Sequence, residues 1–377
     1  MNRIGIAAVE PSGDALGAAL IEGLKKRAPE QEWVFEGIAG PAMRAAGCHP
    51  LIRTEALSVM GLTEIVAHLP RLLKLRRQLI RHFIHHKPNL FIGVDGPDFN
   101  LGLERALRSK GIFTVHCVSP TVWAWRRRRV HAVARSANLL LTLFPFESTY
   151  YENLPIKTHF MGHPLADQIA TDQNLNTAHA RESLEIDDSS PVIALLPGSR
   201  LGEISRLAPT FLQMVQWWRT HGPRTRFLLC AANECCYKWL EPHVSALPEV
   251  QLIHGNSQKV MAAADIILLA SGTASLEAAL LCKPMLVAYR VSALSYVLLN
   301  RLVTTTHVAM PNLLAPQPYI REFLQEQVQP EPLGEALLEL LNDEQARHIA
   351  QQSGALIRAQ LATGAAEQAA AAILEHL

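Results

Sequence analysis

No run of about eighteen apolar residues interrupts this 377-residue sequence, although 49% of it is hydrophobic, so nothing in it is expected to span a bilayer. The opening MNRIGIAAVEPSGD turns acidic too soon for a secretory signal. Cysteine is scarce. The six residues Cys48, Cys117, Cys230, Cys235, Cys236 and Cys282 show no CxxC spacing, which suits a reducing cytoplasm better than a disulfide framework. Charge is also low, at 18%, and balanced at 35 Lys+Arg against 34 Asp+Glu. A formal net charge of +1 argues against a chain coated with positive charge for nucleic acid and against an acidic, disordered one. Neither GxxxxGK[ST] nor HExxH occurs, which removes the P-loop and the zincin motif.

What is present is length and alternation. The chain is two to three times the usual domain length, so it can bury a sizeable core without a disulfide or metal staple. Short β-branched and apolar runs alternate with helical stretches throughout, the pattern of parallel α/β architecture. Strands are expected at 3–8, 33–38, 89–95, 112–118, 138–142 and 157–161, then at 192–196, 226–231, 250–254, 265–270 and 284–288. LFIGV and IILLA lack period-2 alternation, as central strands covered on both faces do. The polar stretch Asp167–Pro191 reads as a linker, and the chain after Pro332 reads as helical. Two doubly wound domains facing a central cleft follow, over 1–170 and 190–340, with C-terminal helices at 341–377 free to cross back to the first domain.

The second half opens on Val192-Ile-Ala-Leu-Leu-Pro-Gly-Ser-Arg200, a strand, a glycine turn and a helix start. Backbone amides at Gly198 and Ser199, with the helix dipole behind them, would hold an anion, and the Arg200 fork suits a diphosphate. An ordinary βα turn satisfies the same residues. Downstream, Ser271-Gly272-Thr273 repeats the device after IILLA, and Glu277 one turn later can accept from adjacent sugar hydroxyls or simply complement its helix N-terminus. Two such turns in one domain suit a nucleotide diphosphate.

In the first half, Glu10-Pro-Ser-Gly-Asp14 follows the first strand, with Ser12 or Asp14 placed to cap a helix from about Ala15. Asp95 ends a buried strand at the edge where open α/β sheets bind ligands, and is the first choice for a general base. Asp98, after Pro97, reads as a helix cap. Pro70–Lys87 carries six Lys/Arg and no acid, and its apolar stripe includes Leu72, Leu79 and Phe83. It can dock on an anionic membrane or be a core helix with a basic back. His82 and His86 within it lack the rest of a metal motif. Trp123, Trp125 and Arg126 open a run of two indoles and four arginines, for which a phosphorylated lipid is a better partner than nucleic acid.

The ordered set SGD (Ser12–Asp14), GIAGPAM (Gly37–Met43), VMGLTEI (Val59–Ile65), DGPDF (Asp95–Phe99), VSPTVWAW (Val118–Trp125), LFPFE (Leu143–Glu147), GHPLAD (Gly162–Asp167), LPGSR (Leu196–Arg200), ASGTASLE (Ala270–Glu277) and PNLLA (Pro311–Ala315) resembles the lipid-A-disaccharide synthase family across almost the whole chain. The resemblance implies a GT-B glycosyltransferase joining UDP-2,3-diacylglucosamine to 2,3-diacylglucosamine 1-phosphate with inversion. No cofactor or metal is implied. By the same resemblance Asp95 is the catalytic carboxylate, and Arg200, Glu277 and Asn312 are donor-nucleotide contacts. The implied partners are the two lipid substrates and the inner-membrane surface reached from the cytoplasm, with a homodimer left open. Two departures stand out. Val9 and Pro11 occupy positions where the family usually shows Gly and Ala, which should stiffen the loop at Glu10 and Ser12. Gly96 replaces a common Ala, which is expected to matter little. The rival readings are a UDP-sugar 2-epimerase with the same nucleotide cleft, and a non-enzymatic nucleotide- or lipid-binding regulator.

Overall fold

A computed structural model of the chain describes residues 2–57, 65–124, 127–186, 190–291, 305 and 307–377. It forms two compact units, Met1–Asp167 with Leu361–Leu377, and Gln168–Gln360. In the first, β1 (Asn2–Ala8), β2 (Trp33–Ala39), β3 (Cys48–Arg53), β4 (Leu90–Val94), β5 (Phe113–Cys117), β6 (Leu139–Thr142) and β7 (Lys157–Phe160) make one parallel sheet in the order β3-β2-β1-β4-β5-β6-β7. Every residue of β4 is buried, as a central strand covered on both faces requires. The helices are α1 (Pro11–Arg27), α2 (Pro41–Ala45), α3 (Ile65–His86), α4 (Pro97–Arg108), α5 (Arg129–Ser136) and α6 (Pro164–Thr171), which straddles the boundary. The strand order reverses between β1 and β4, so this is the switch point where a ligand site is expected.

The second unit repeats the plan. Its strands β8 (Val192–Leu196), β9 (Arg226–Ala231), β10 (Val250–His254), β11 (Ile266–Ala270), β12 (Met285–Tyr289) and β13 (Arg321–Leu324) run parallel in the order β10-β9-β8-β11-β12-β13. The switch point falls between β8 and β11. The helices are α7 (Thr177–Ser183), α8 (Leu201–His221), α9 (Glu234–Val244), α10 (Ser257–Ala263), α11 (Thr273–Leu280), α12 (Met310–Leu314), α13 (Pro330–Asn342) and α14 (Glu344–Leu361). The last helix, α15 (Ala365–Leu374), belongs to the first unit and packs on α1, where Gly23 lies so close that a Cβ would meet the Ala366 carbonyl oxygen at 2.8 Å.

The stretch expected as a linker is partly helical. Asn176 caps α7 by accepting from the His179 amide (2.9 Å), and Arg181 ties α7 to the second unit through Ala263 O (2.9 Å) and Asp265 (2.8 Å). Among the described residues no helix is long and apolar enough to cross a membrane.

Candidate functional site

β1 and β4 are paired so that Ala8 lies beside Val94, which brings Val9–Glu10 next to Asp95–Gly96. α1 begins at Pro11, four residues earlier than the sequence suggests, because a proline at the first helical position is already set at helical φ. Glu10 therefore sits at the N-cap, exposed and making no cap hydrogen bond, and Ser12 is exposed in the first turn. Asp14 does not cap its own helix. Its buried carboxylate accepts from the amides of Gly40 (2.7 Å), Ala42 (2.8 Å) and Met43 (3.2 Å), the start of α2. A Cβ on Gly40 would lie 2.5 Å from that carboxylate, so the GPAM glycine makes room for the cap. Asp14 thus holds the start of α2 in place.

Asp95 and Gly96 follow β4 with φ of 51° and 50°. Asn100, fully buried on α4, holds this left-handed turn by donating to the carbonyls of Asp95 (2.8 Å), Ala7 (3.1 Å) and Val94 (3.3 Å). The half-buried Asp95 carboxylate has no hydrogen bond or ion pair with another described residue. A side chain without a partner among the described residues, on a left-handed turn at the switch point, has the placement a general base needs. Gly96 matters more than expected. A Cβ there would collide with Val9 Cγ2, so Val9 fills the space a side chain at 96 would need. Asp98 is no cap either; it lies exposed in the first turn of α4 and pairs with Arg129.

Below the turn, Glu104 and His116 are fully buried and joined at 2.7 Å (Oε1 to Nδ1). Burial pushes the Glu104 carboxyl upward, opposed by His116. Both stand at Gly93, whose register partner is His116 and whose missing Cβ leaves room for the Glu104 carboxylate. Sequence reasoning passed over this pair. The signal was there: Asn100, Leu103, Glu104 and Leu107 share the spacing of one buried helix face, and two of the four are polar.

The loops after β5 and β6 leave the same edge. Val118 takes φ of 78°, a conformation that costs a β-branched residue ~1–3 kcal/mol and marks a tightly held turn. Ser119 Oγ and Tyr151 Oη meet at 2.9 Å in the interior. Buried Glu147 accepts from the amides of Leu143 and Phe144, each at 3.0 Å, while burial raises its carboxyl to about 7. Trp123 packs edge-on against Phe146, so it braces the loop. Trp125 and Arg126 lie outside the described residues. In GHPLAD, burial lowers His163 to about 4, and Asp167 accepts from the amides of Gly364 (2.8 Å) and Ala365 (2.6 Å), capping α15.

In the second unit Leu196 pairs with Leu269, so the two expected anion turns lie side by side. Their donors are only partly available. Glu203 Oε2 already accepts from the amides of Ser199 (3.0 Å) and Arg200 (3.3 Å) and packs so near Gly198 (φ 130°) that a Cβ there would fall 2.6 Å from Glu203 Cβ. The Arg200 side chain is 78% exposed and 4.0 Å from Glu203, open to an incoming anion. Ser271 is committed: its hydroxyl donates to Val308 O (2.8 Å) and its amide to Ala288 O (3.2 Å). Gly272 and Thr273 are exposed at the start of α11. Glu277 is half-buried, with its carboxyl raised by burial. Asn312 departs most from expectation. Its buried amide accepts from Tyr319 N (3.0 Å) and Ile320 N (2.9 Å) and donates to Ile320 O (2.9 Å) and Glu322 (2.8 Å). Every hydrogen-bonding position is filled, so Asn312 shapes its loop and has nothing left for a nucleotide.

The membrane assignment of Leu79 and Phe83 is overturned. They are 2% and 0% exposed, with Phe83 edge-on to Phe91 (5.3 Å), and Leu72 packs half-buried against the same core. The stripe on α3 faces the sheet, and what it shows to solvent is basic: Arg71, Lys74, Arg77 and Arg81.

The family model described as lipid-A-disaccharide synthetase matches residues 4–376. A lipid-A-disaccharide synthase from Chromohalobacter salexigens is 45% identical over 98% of this chain and 96% of its own length. Among solved structures, MurG of Acinetobacter baumannii has a TM-score of 0.59 at 15% identity and full coverage of both chains. A putative UDP-N-acetylglucosamine 2-epimerase from Listeria monocytogenes reaches 0.65 at 12% identity, over 99% of this chain and 94% of that one. These likenesses show a GT-B fold shared by transferases and epimerases alike, so the fold leaves the chemistry open and the sequence decides it. The chain belongs to the lipid-A-disaccharide synthase family of glycosyltransferases.

Proposed function

We propose that this chain condenses UDP-2,3-diacylglucosamine with 2,3-diacylglucosamine 1-phosphate, releasing UDP and the β-1,6-linked disaccharide 1-phosphate at the cytoplasmic surface of the inner membrane. The first unit takes the acceptor and the second the nucleotide sugar. Asp95 removes the proton of the acceptor's 6-hydroxyl as that oxygen attacks the anomeric carbon. The bond from that carbon to the diphosphate breaks on the opposite face, which inverts the configuration, and the charge gathering on UDP is met by Arg200 and the exposed amides at Gly272 and Thr273. Glu277 accepts from the donor's hydroxyls. The observation that carries this reading is the Asp95 carboxylate, on its left-handed turn and without a hydrogen-bond or ion-pair partner among the described residues, in a chain of this family.

Purified protein should turn over the two lipid substrates with EDTA present and should leave UDP-N-acetylglucosamine alone unchanged. Epimerisation without lipid turnover would favour the rival reading. A general base contributes ~10²–10⁴-fold, so Asp95→Asn should lower kcat by at least ~100-fold with UDP affinity unchanged. Near-normal turnover in that variant would remove Asp95 from the chemistry.

A further inference from the structure

The first unit carries a hollow of about 510 Å³ lined by Arg127, Arg128, Val130, His131, Thr149 and Tyr150. No carboxylate lines it. In a protein whose charges balance to +1, a hollow holding two guanidiniums and an imidazole with no acid is a local excess of one sign. Neither Arg127 nor Arg128 has an ion-pair partner among the described residues, whereas their neighbour Arg129 is taken by Asp98. Arg127 lies over the Tyr150 ring, 5.6 Å from its centroid, which restricts where its fork can point.

The walls are braced from beneath. Val130 and Tyr150 pack on a small core of Val122, Val133, Leu140 and Tyr151. The Ser119–Tyr151 hydrogen bond (2.9 Å) ties the chain after β5 to the chain after β6 under the hollow. Both segments leave the sheet edge that also carries Asp95. Planar guanidiniums recognise phosphate through paired charge-assisted hydrogen bonds, and a hollow of this lining suits that group better than a neutral sugar.

We propose that this hollow binds a lipid-borne phosphate, that of the acceptor sugar. The assignment rests on the acceptor named under Proposed function. The same chemistry would also take the phosphate of an anionic phospholipid, and the test separates the two sources.

Binding is measured directly, apart from turnover, with the acceptor lipid and its dephosphorylated form in neutral detergent micelles. Wild-type protein should prefer the phosphorylated form by ~10-fold or more, and Arg127→Ala/Arg128→Ala should lose that preference while keeping UDP affinity. Arg127→Lys/Arg128→Lys should restore part of it, since charge returns without the fork. In the second arm, vesicles of phosphatidylglycerol are compared with phosphatidylcholine. An alanine variant that keeps its acceptor preference but loses the phosphatidylglycerol vesicles assigns the hollow to membrane phospholipid and overturns the acceptor assignment. A variant matching wild type in both arms overturns the site. Loss of wild-type turnover with phosphate-dependent binding intact would strike the proposed reaction and leave the hollow standing.

Discussion

Val9 and Gly96, at the two strand ends beside Asp95, compete for one volume. Sequence alone treats them as separate oddities; only the pairing of β1 with β4 shows that a bulkier residue on one strand end is matched by a smaller one on the other. Gly96→Ala should cost ~2–5 kcal/mol, from about 1–2 for a Cβ in the left-handed region and about 1–3 for overpacking. Adding Val9→Gly should return the overpacking part, giving a favourable coupling of ~1–3 kcal/mol in a denaturation cycle. Additive effects would mean the side chain at position 9 does not fill that space. Glu147 carries a second residue-scale consequence. Burial holds its carboxyl at about 7, above the 4.5 of the exposed group. The folded state therefore keeps a proton that the unfolded chain has already released. The resulting stability is present below pH ~4.5 and is lost as pH rises through about 7. Glu147→Gln keeps an acceptor for the two amides and removes the titration. Its urea midpoint should change less than wild type's between pH 5 and 8, and equal slopes would refute the assignment.

Among the elements, legibility followed burial. The central strands LFIGV, VIALL and IILLA announce themselves, since strands covered on both faces must be apolar throughout. The two missed strands are sheet edges. β3 reads CHPLIR, with a proline only an edge tolerates, and β13 is the four residues REFL. The same rule explains α3. An apolar stripe with a basic back describes a helix on a sheet as well as one on a membrane, because both bury one face. What settles it is Phe83 against Phe91 and Gly5, contacts invisible in one dimension. Changing Leu72, Leu79 and Phe83 to Ser should therefore unfold the first unit. The two fully buried positions alone cost ~5–10 kcal/mol, comparable to a domain's whole stability. Loss of cooperative melting is the expected result; a folded triple variant that merely releases vesicles would reinstate the docking face. The turns of the candidate site were legible where they follow backbone motifs, as at Asp95 and LPGSR. They were not where carboxylates and amides fold back on the chain, as Asp14, Glu203 and Asn312 do. Those residues look available in sequence and are consumed in space.

For the whole molecule, the chain ends in the unit where it began. α15 contributes Ala369, Ala370 and Ile373 to the same core as Leu20, Ile21 and Leu24 of α1. The connection is held at three points of GHPLAD and its approach: the Met161 carbonyl accepts from Thr363 Oγ1 (2.9 Å), the His163 amide donates to Leu361 O (2.9 Å), and Asp167 caps α15. A motif in the middle of the sequence thus secures its end, which no local pattern reveals. Asp167→Ala removes a carboxylate from two helix-terminal amides and should cost ~1–2 kcal/mol. For a unit of this size that lowers Tm by ~2–8 °C. The loss belongs to the first unit, whereas UDP is assigned to the second. Saturating UDP at about 100 times its Kd stabilises the state that binds it by ~2.7 kcal/mol. Calorimetry of Asp167→Ala with UDP should therefore move the two units apart, one transition falling with the mutation and the other rising with the nucleotide. A single transition that shifts as one under both perturbations would show that the units melt together, and that α15 stabilises the molecule as a whole.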